Sequence, residues 1–276
     1  MAAPSGITAV PSPASLTLDP GETAEYTITF TTTPAGTLDE WAFGSITWSD
    51  GTHSVRSPIA VKPVALSAPD EVSGEGTSGS LEYDVTFGYA GPFNVGVNGL
   101  DAAAVDDGRT VVDDPADDIN VALESGVGID EVTVAVPAGT LHLRLSLFDE
   151  NTDGEDDLDL YLFDPDGNFV DGSGGVTSAE QVDASNPAEG DWTLIVHGFE
   201  TDGPDAVYDL FSWTVSPGAD GNLTVNDPGD AVLGATETLT ADWTGLTAGS
   251  RYLGVITYDA GGPEIDRTLI SIDATE

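Results

Sequence analysis

The residues of this chain best suited to chemistry are the oxygen donors crowded into Asp149-Glu150-Asn151-Thr152-Asp153-Gly154-Glu155-Asp156-Asp157-Leu158-Asp159. Calcium takes roughly 6–8 hard oxygens at about 2.3–2.6 Å, so several carboxylates must converge to hold it. Alternating oxygen side chains in a tight loop can converge, and glycine permits the sharp turn. Asp149, Asn151, Asp153 and Gly154 match the first half of a D-x-[DN]-x-[DN]-G loop. The twelfth position, which should be a bidentate glutamate, is Leu160, and the flanks read as strands. An EF-hand is therefore excluded. Two readings stay open. One is a non-helical calcium loop between strands, with Asp149, Asn151, Asp153, Asp156, Asp157 and Asp159 as candidate ligands. The other is a solvated acidic turn.

Catalytic sets are absent from the sequence. There is no cysteine, which removes disulfides, thiolate nucleophiles and cysteine–zinc sites. The three histidines are His53, His142 and His197. His142 and His197 fall inside alternating runs and His53 follows a tight turn, so all three read as structural. No G-x-S-x-G elbow, phosphate loop or H-E-x-x-H motif occurs. Carboxylates are too abundant for any one pair to indicate glycosidase chemistry.

That abundance is itself informative. The chain has 49 acidic residues against 6 basic ones, for a formal net charge of −43. Such a field repels nucleic acid and anionic membranes, attracts cations and favours solubility. The acids are spread along the chain, as expected for a solvated surface in a salty or extracellular medium. No apolar run approaches the roughly 20 residues needed to span a bilayer. The stretch Met1-Ala2-Ala3-Pro4-Ser5-Gly6 lacks the charge and apolar run of a signal peptide. Export information would then have been removed or have lain upstream.

The elements that would position these residues are strands. Leu141, Leu143, Leu145 and Leu147 alternate with His142, Arg144, Ser146 and Phe148. Leu158, Leu160 and Leu162 alternate with Asp157, Asp159 and Tyr161, and Trp192, Leu194 and Val196 follow the same period. So do Tyr26, Ile28 and Phe30, and Tyr252, Gly254, Ile256 and Tyr258. A period of two predicts half-buried antiparallel strands. Turn signals at Asp50-Gly51, Pro165-Asp166-Gly167-Asn168 and Asp220-Gly221-Asn222 separate them. No amphipathic helix longer than two turns is evident. The predicted fold is all-β, with tandem antiparallel β-sandwich or jelly-roll domains. Composition shifts place boundaries at residues 67–80, read as a linker or exposed loop, and near Pro217-Gly218-Ala219-Asp220-Gly221. They predict three blocks, 1–66, 67–217 and 218–276. Of the five tryptophans, Trp41, Trp48, Trp192, Trp213 and Trp243, most are expected to anchor cores.

The stretch Phe43 to Val61, with Ile46-Thr47-Trp48-Ser49-Asp50-Gly51-Thr52-His53 and Pro58-Ile59-Ala60-Val61 at its heart, resembles the end of the fibronectin type III-like domain of subtilisin-like serine proteases. From Val132 to Val215 the chain resembles the pre-peptidase C-terminal domain of secreted proteases. The carriers are Val136-Pro137-Ala138-Gly139-Thr140, Asp156-Asp157-Leu158-Asp159-Leu160-Tyr161-Leu162, Ser178-Ala179-Glu180, Asn186-Pro187-Ala188-Glu189-Gly190-Asp191-Trp192 and Val196-His197-Gly198-Phe199. Residues 218–276 resemble a small immunoglobulin-like module. Gly76-Thr77-Ser78 is similar to the subtilisin-type serine box, but Gly79-Ser80 follows where that box continues Met-Ala, and the Asp and His boxes are missing.

The resemblance implies a non-catalytic accessory region that follows a subtilisin-like catalytic domain in a secreted protein. Its implied roles are stabilising the enzyme or holding protein substrate, and it implies calcium binding in some members. It also implies further strands upstream of Ile7, so the first domain is expected to be incomplete and the least stable part. The alternative from another class is a free-standing extracellular adhesion or glycan-binding module. An exposed aromatic platform would mark it.

Overall fold

The computed structural model of the protein describes residues 1–275. Strands account for 55% of the chain and helix for 4%, which settles an all-β fold. The first 65 residues form two hairpin-like pairs. Strand β1 (Ile7–Ser12) pairs antiparallel with β2 (Thr27–Thr32), and β3 (Ala42–Ser49) with β4 (Ser54–Val61). The β3–β4 turn forms as the sequence implies. The Asp50 carboxylate accepts from the backbone N–H groups of Thr52 and His53, and Gly51 takes φ 92°. Only three large apolar side chains are fully buried here, Ile7, Ile46 and Ile59. Val10, Trp41, Phe43 and Val55 stay exposed.

The remainder departs from the three-block expectation. Strands β5 (Leu66–Ser67), β6 (Glu71–Glu75), β7 (Gly79–Phe87) and β8 (Asn94–Ala102) form half of a sandwich. The chain then leaves to build a second sandwich. It comprises β9 (Ala104–Val112), α1 (Ile119–Ser125), β10 (Ile129–Val136), β11 (His142–Ser146), β12 (Asp157–Phe163), β13 (Phe169–Ser173), β14 (Gln181–Ser185), β15 (Gly190–Glu200) and β16 (Asp205–Val215). The first sandwich is completed by β17 (Leu223–Val225), β18 (Thr236–Trp243), β19 (Ser250–Asp259) and β20 (Glu264–Ala274). Its sheets run β17-β18-β7-β5 and β6-β20-β19-β8. Residues 66–102 and 218–274 are therefore one split domain around an insert. The boundary expected at residue 67 and the separate terminal module are corrected accordingly. The stretch 67–80 is also not a linker. Glu71–Glu75 lies parallel to β20, the one parallel pair in these sheets. It reads as loop because an edge strand of Ser, Gly and Glu carries no apolar period.

Each sandwich has its own core. In the split sandwich Tyr83, Val85, Phe87, Leu239, Trp243, Ile256, Tyr258 and Ile270 interdigitate. In the insert, sheets β10-β15-β12-β13 and β14-β11-β16-β9 enclose Leu143, Leu145, Leu158, Leu160, Leu162, Leu194, Val196 and Tyr208. The alternating leucines are thus the core face, as the period of two requires. Strand β11 is not half-buried, however. Every residue of it is buried, because its second face, with His142, Arg144 and Ser146, meets other protein.

That protein includes the split sandwich. A third apolar cluster, Phe211, Trp213, Val215, Leu253 and Val255, lies between the two sandwiches. Three of the chain's five arginines cross the same boundary. Arg144 of the insert donates to both Glu71 oxygens at 2.8 Å. Arg251 of the split sandwich donates to Glu150 at 2.5 Å and lies 3.9 Å over the Phe148 ring. Arg267 donates to the Leu141 carbonyl at 2.8 Å and to Asn186 Oδ1 at 3.0 Å. A planar guanidinium can satisfy several acceptors at once, which suits a desolvated boundary. Trp192, Trp213 and Trp243 are buried as expected, whereas Trp41 is 62% exposed.

Candidate functional site

The acidic segment is fixed at both ends and divided in the middle. Phe148 leads into a single 3-10 turn, Asp149–Asn151, and the Asp149 carbonyl accepts from Thr152 N at 3.2 Å. A register shift between Asp157 and Leu158 then starts β12. The two irregularities send the six candidate ligands into different surroundings. Asn151 donates to Asp209 at 3.3 Å, and its own Oδ1 is buried without a partner. Asp153 and Asp156 turn toward the Asp202 loop. Asp153 Oδ1 accepts from Val207 N at 2.7 Å, and Asp156 Oδ1 accepts from Asp202 N at 3.0 Å. Asp156 is 4% exposed and its Oδ2 has no partner. Burial, with Asp202 and Asp153 nearby, pushes its carboxyl above the usual range.

Asp157 and Asp159 lie on the outer face of the sheet instead. Burial and the carboxylates of Asp159, Glu180 and Glu200 push Asp157 up, and its Oδ1 is buried without a partner. Asp159 Oδ2 accepts from the Tyr161 hydroxyl at 3.2 Å. Behind it stands His197, 1% exposed, with Nε2 3.0 Å from Asp114 and Nδ1 3.5 Å from Asp159. Burial opposes a charged imidazole, but bonding to Asp159 and Asp114 outweighs it and raises the His197 pKa. The residues named from the sequence are therefore not one ligand set. Among the described residues no three acidic or histidine side chains stand so as to share a metal ion.

Two hollows accompany these groups. One, of about 450 Å³, opens between the two sandwiches and is lined by Glu71, Arg144, Phe148, Trp213, Arg251 and Asp273 among others. Its arginines are already engaged by Glu71, Asp183, Glu150 and Asp273. The other, of about 430 Å³, lies over Asp159, between Tyr161, Phe169 and Phe199. Sequence reasoning missed Glu180 and Glu200 as neighbours of Asp157, since only the fold brings β14 and β15 to it. The nearest signal was Ser178-Ala179-Glu180, one of the stretches that carries the family resemblance.

The fold is a run of largely antiparallel β-sheets packed as sandwiches. Residues 1–61 match the family model described as a fibronectin type-III domain, and residues 130–198 match the bacterial pre-peptidase C-terminal domain. Over 66 residues the chain is 36% identical to pyrolysin of Pyrococcus furiosus, a stretch covering 24% of this chain and 5% of that protein. Among solved structures, the crystal structure of tripeptidyl peptidase 2 aligns with 91% of this chain and 24% of that chain, at 11% identity and a TM-score of 0.33. The chain thus spans a small fraction of pyrolysin's length. The two segments matched by family models are thus a fibronectin type-III domain and a bacterial pre-peptidase C-terminal domain.

Proposed function

We propose that this chain is the accessory C-terminal region of a secreted subtilisin-like serine protease, and that it holds protein substrate for a catalytic domain upstream. The observation that carries this reading is the pairing, in one chain, of the fibronectin type-III match with the pre-peptidase C-terminal match. The arginine-laced boundary between the sandwiches supports a platform role, because it would hold the two sandwiches together as one surface. Stabilisation of the enzyme is a related role, supported by the exposed apolar side chains of that first block.

Cosedimentation tests it. The pure chain should pellet with heat-aggregated casein and stay in solution with cellulose or chitin. The reverse result would favour the adhesion or glycan-binding alternative, for which exposed Trp41 and Phe43 are the specific support. Calcium belongs to the proposal at one place only. Asp156 Oδ2 lacks a partner beside Asp153 and Asp202, and a cation there would offset their repulsion. Asp153 would have to turn from Val207 N to join it. A calcium-dependent rise in melting temperature at low salt, lost in Asp156→Asn, is the expected result. No rise in the parent chain would remove calcium from the reading.

A further inference from the structure

The hollow over Asp159 combines aromatic walls with an acidic floor. Its side walls are aromatic: Tyr161 from β12, Phe169 from β13 and Phe199 from β15. Its base is carboxylate. Gly174 and Gly175 pass directly over two acids, since a Cβ on Gly174 would stand 2.6 Å from Asp159 Oδ1 and one on Gly175 2.7 Å from Glu180 Oε1. Only residues without side chains fit so close to those oxygens, and of the two acids Asp159 lines the hollow itself. Glu180 is itself buried and held by the Ser173 hydroxyl. Behind the hollow, Asp157 Oδ1 is buried without a partner, and His197 Nδ1 faces Asp159 Oδ2 at 3.5 Å, leaving Asp159 Oδ1 as the oxygen toward Gly174. After burial, Asp159, Glu180 and Glu200 all raise the pKa of the Asp157 carboxyl, so the field beside the hollow is strongly negative, with His197 offsetting part of it. Phe169, 59% exposed, stands at the rim with an open ring face.

We infer that this groove receives a basic side chain, arginine above lysine, presented by a protein ligand. The chemistry is complementary at each level. A guanidinium is flat and weakly hydrated, so it can stack on Phe169 or Tyr161 while its N–H groups reach carboxylate oxygens. A charge of −43 steers basic segments toward the surface before any contact. The inference rests on the substrate-holding reading and names the part of a substrate that would be recognised.

The probe is the capped tripeptide acetyl-Gly-Arg-Gly-amide, with acetyl-Gly-Glu-Gly-amide as its control, titrated into the isotope-labelled full chain at low ionic strength. Saturable shifts confined to the amides of Gly172, Gly174 and Gly175 and to the Phe169 ring are expected with the arginine peptide alone. Phe169→Ala, at an exposed position, should weaken binding about five-fold without changing the melting temperature. Gly174→Ser, which covers Asp159 Oδ1, should abolish it. Shifts elsewhere on the surface, or unchanged affinity in Phe169→Ala, would overturn the assignment. So would displacement of the peptide by micromolar calcium, which would make the groove a divalent-cation site. Casein cosedimentation that survives both substitutions would refute the groove's role and leave the substrate-holding reading intact. Loss of casein binding in the parent chain, with peptide binding kept, would refute the broader reading alone.

Discussion

Replacing Arg144 by methionine tests whether the boundary between the sandwiches is an energetic unit. The guanidinium is 5% exposed, donates to both Glu71 oxygens and contacts both Asp183 oxygens at 2.8 and 3.2 Å. Methionine keeps the stem's volume and removes five donors. Deleting one partner of a buried pair costs roughly 3–5 kcal/mol, because the other charge is left stranded. Glu71 and Asp183 are each about one-third exposed, so water recovers part of that, and about 2 kcal/mol is expected. For a chain of this size that is a fall of roughly 4–8 °C in melting temperature. Urea unfolding followed by tryptophan fluorescence is the assay, with Trp213 reporting from the boundary. Adding Glu71→Gln to Arg144→Met should cost less than the two single changes summed, with a coupling of about 1 kcal/mol. A loss below about 0.5 kcal/mol, or strict additivity, would refute the reasoning.

Stability should peak in mild acid. Asp183 is held down to about 2, with His142 and Arg144 outweighing burial. Its ordinary value is 3.8, so its contribution, roughly 2 kcal/mol, is complete above that value and lost as pH falls from about 4 to 2. Asp101 is pushed up to about 6 by burial and Asp220, and Asp156, Asp157 and Asp266 are raised, so their penalty is relieved as pH falls from 7 toward 4. Melting temperature measured from pH 8 to 2 should therefore rise and then fall, and a monotonic curve would contradict this. Gly79→Ala should cost about 1–3 kcal/mol, because its Cβ would strike the Trp243 indole, which donates to the Gly76 carbonyl at 3.0 Å. Chemical denaturation gives that number directly. In native-state hydrogen exchange, β1–β4 should open at lower free energy than β11, β12 or β19, given three buried apolar side chains against two full cores. Equal protection would contradict it.

The strands were legible wherever one face met a core. Leu158, Leu160 and Leu162 carry their period openly because the opposite face faces outward. Strand β6 was not legible, since its partner is β20 and periodicity holds no information about a neighbour so distant in sequence. For the same reason residues 66–102 and 218–274 read as separate blocks. A half-buried strand would leave His142 and Arg144 on an open face of β11, but Asp183 and Glu71 cover that face, and neither is near in sequence. The acidic segment was visible from composition, but its division was not. A 3-10 turn and one register shift decide which way each carboxylate points, and neither leaves a trace in residue type.

The split domain also dictates an order of assembly during synthesis. Strands β5–β8 leave the ribosome before the insert, but Glu71–Glu75 must wait for Leu269–Asp273, the pairing that closes one sheet. The insert has all its partners within 104–215 and can fold while the rest is still being made. Until the last strands arrive, Tyr83, Val85 and Phe87 have no opposite sheet. The nascent chain therefore carries a folded insert on an unfinished frame, and a premature stop after residue 217 would strand an apolar half-sandwich beside an intact domain.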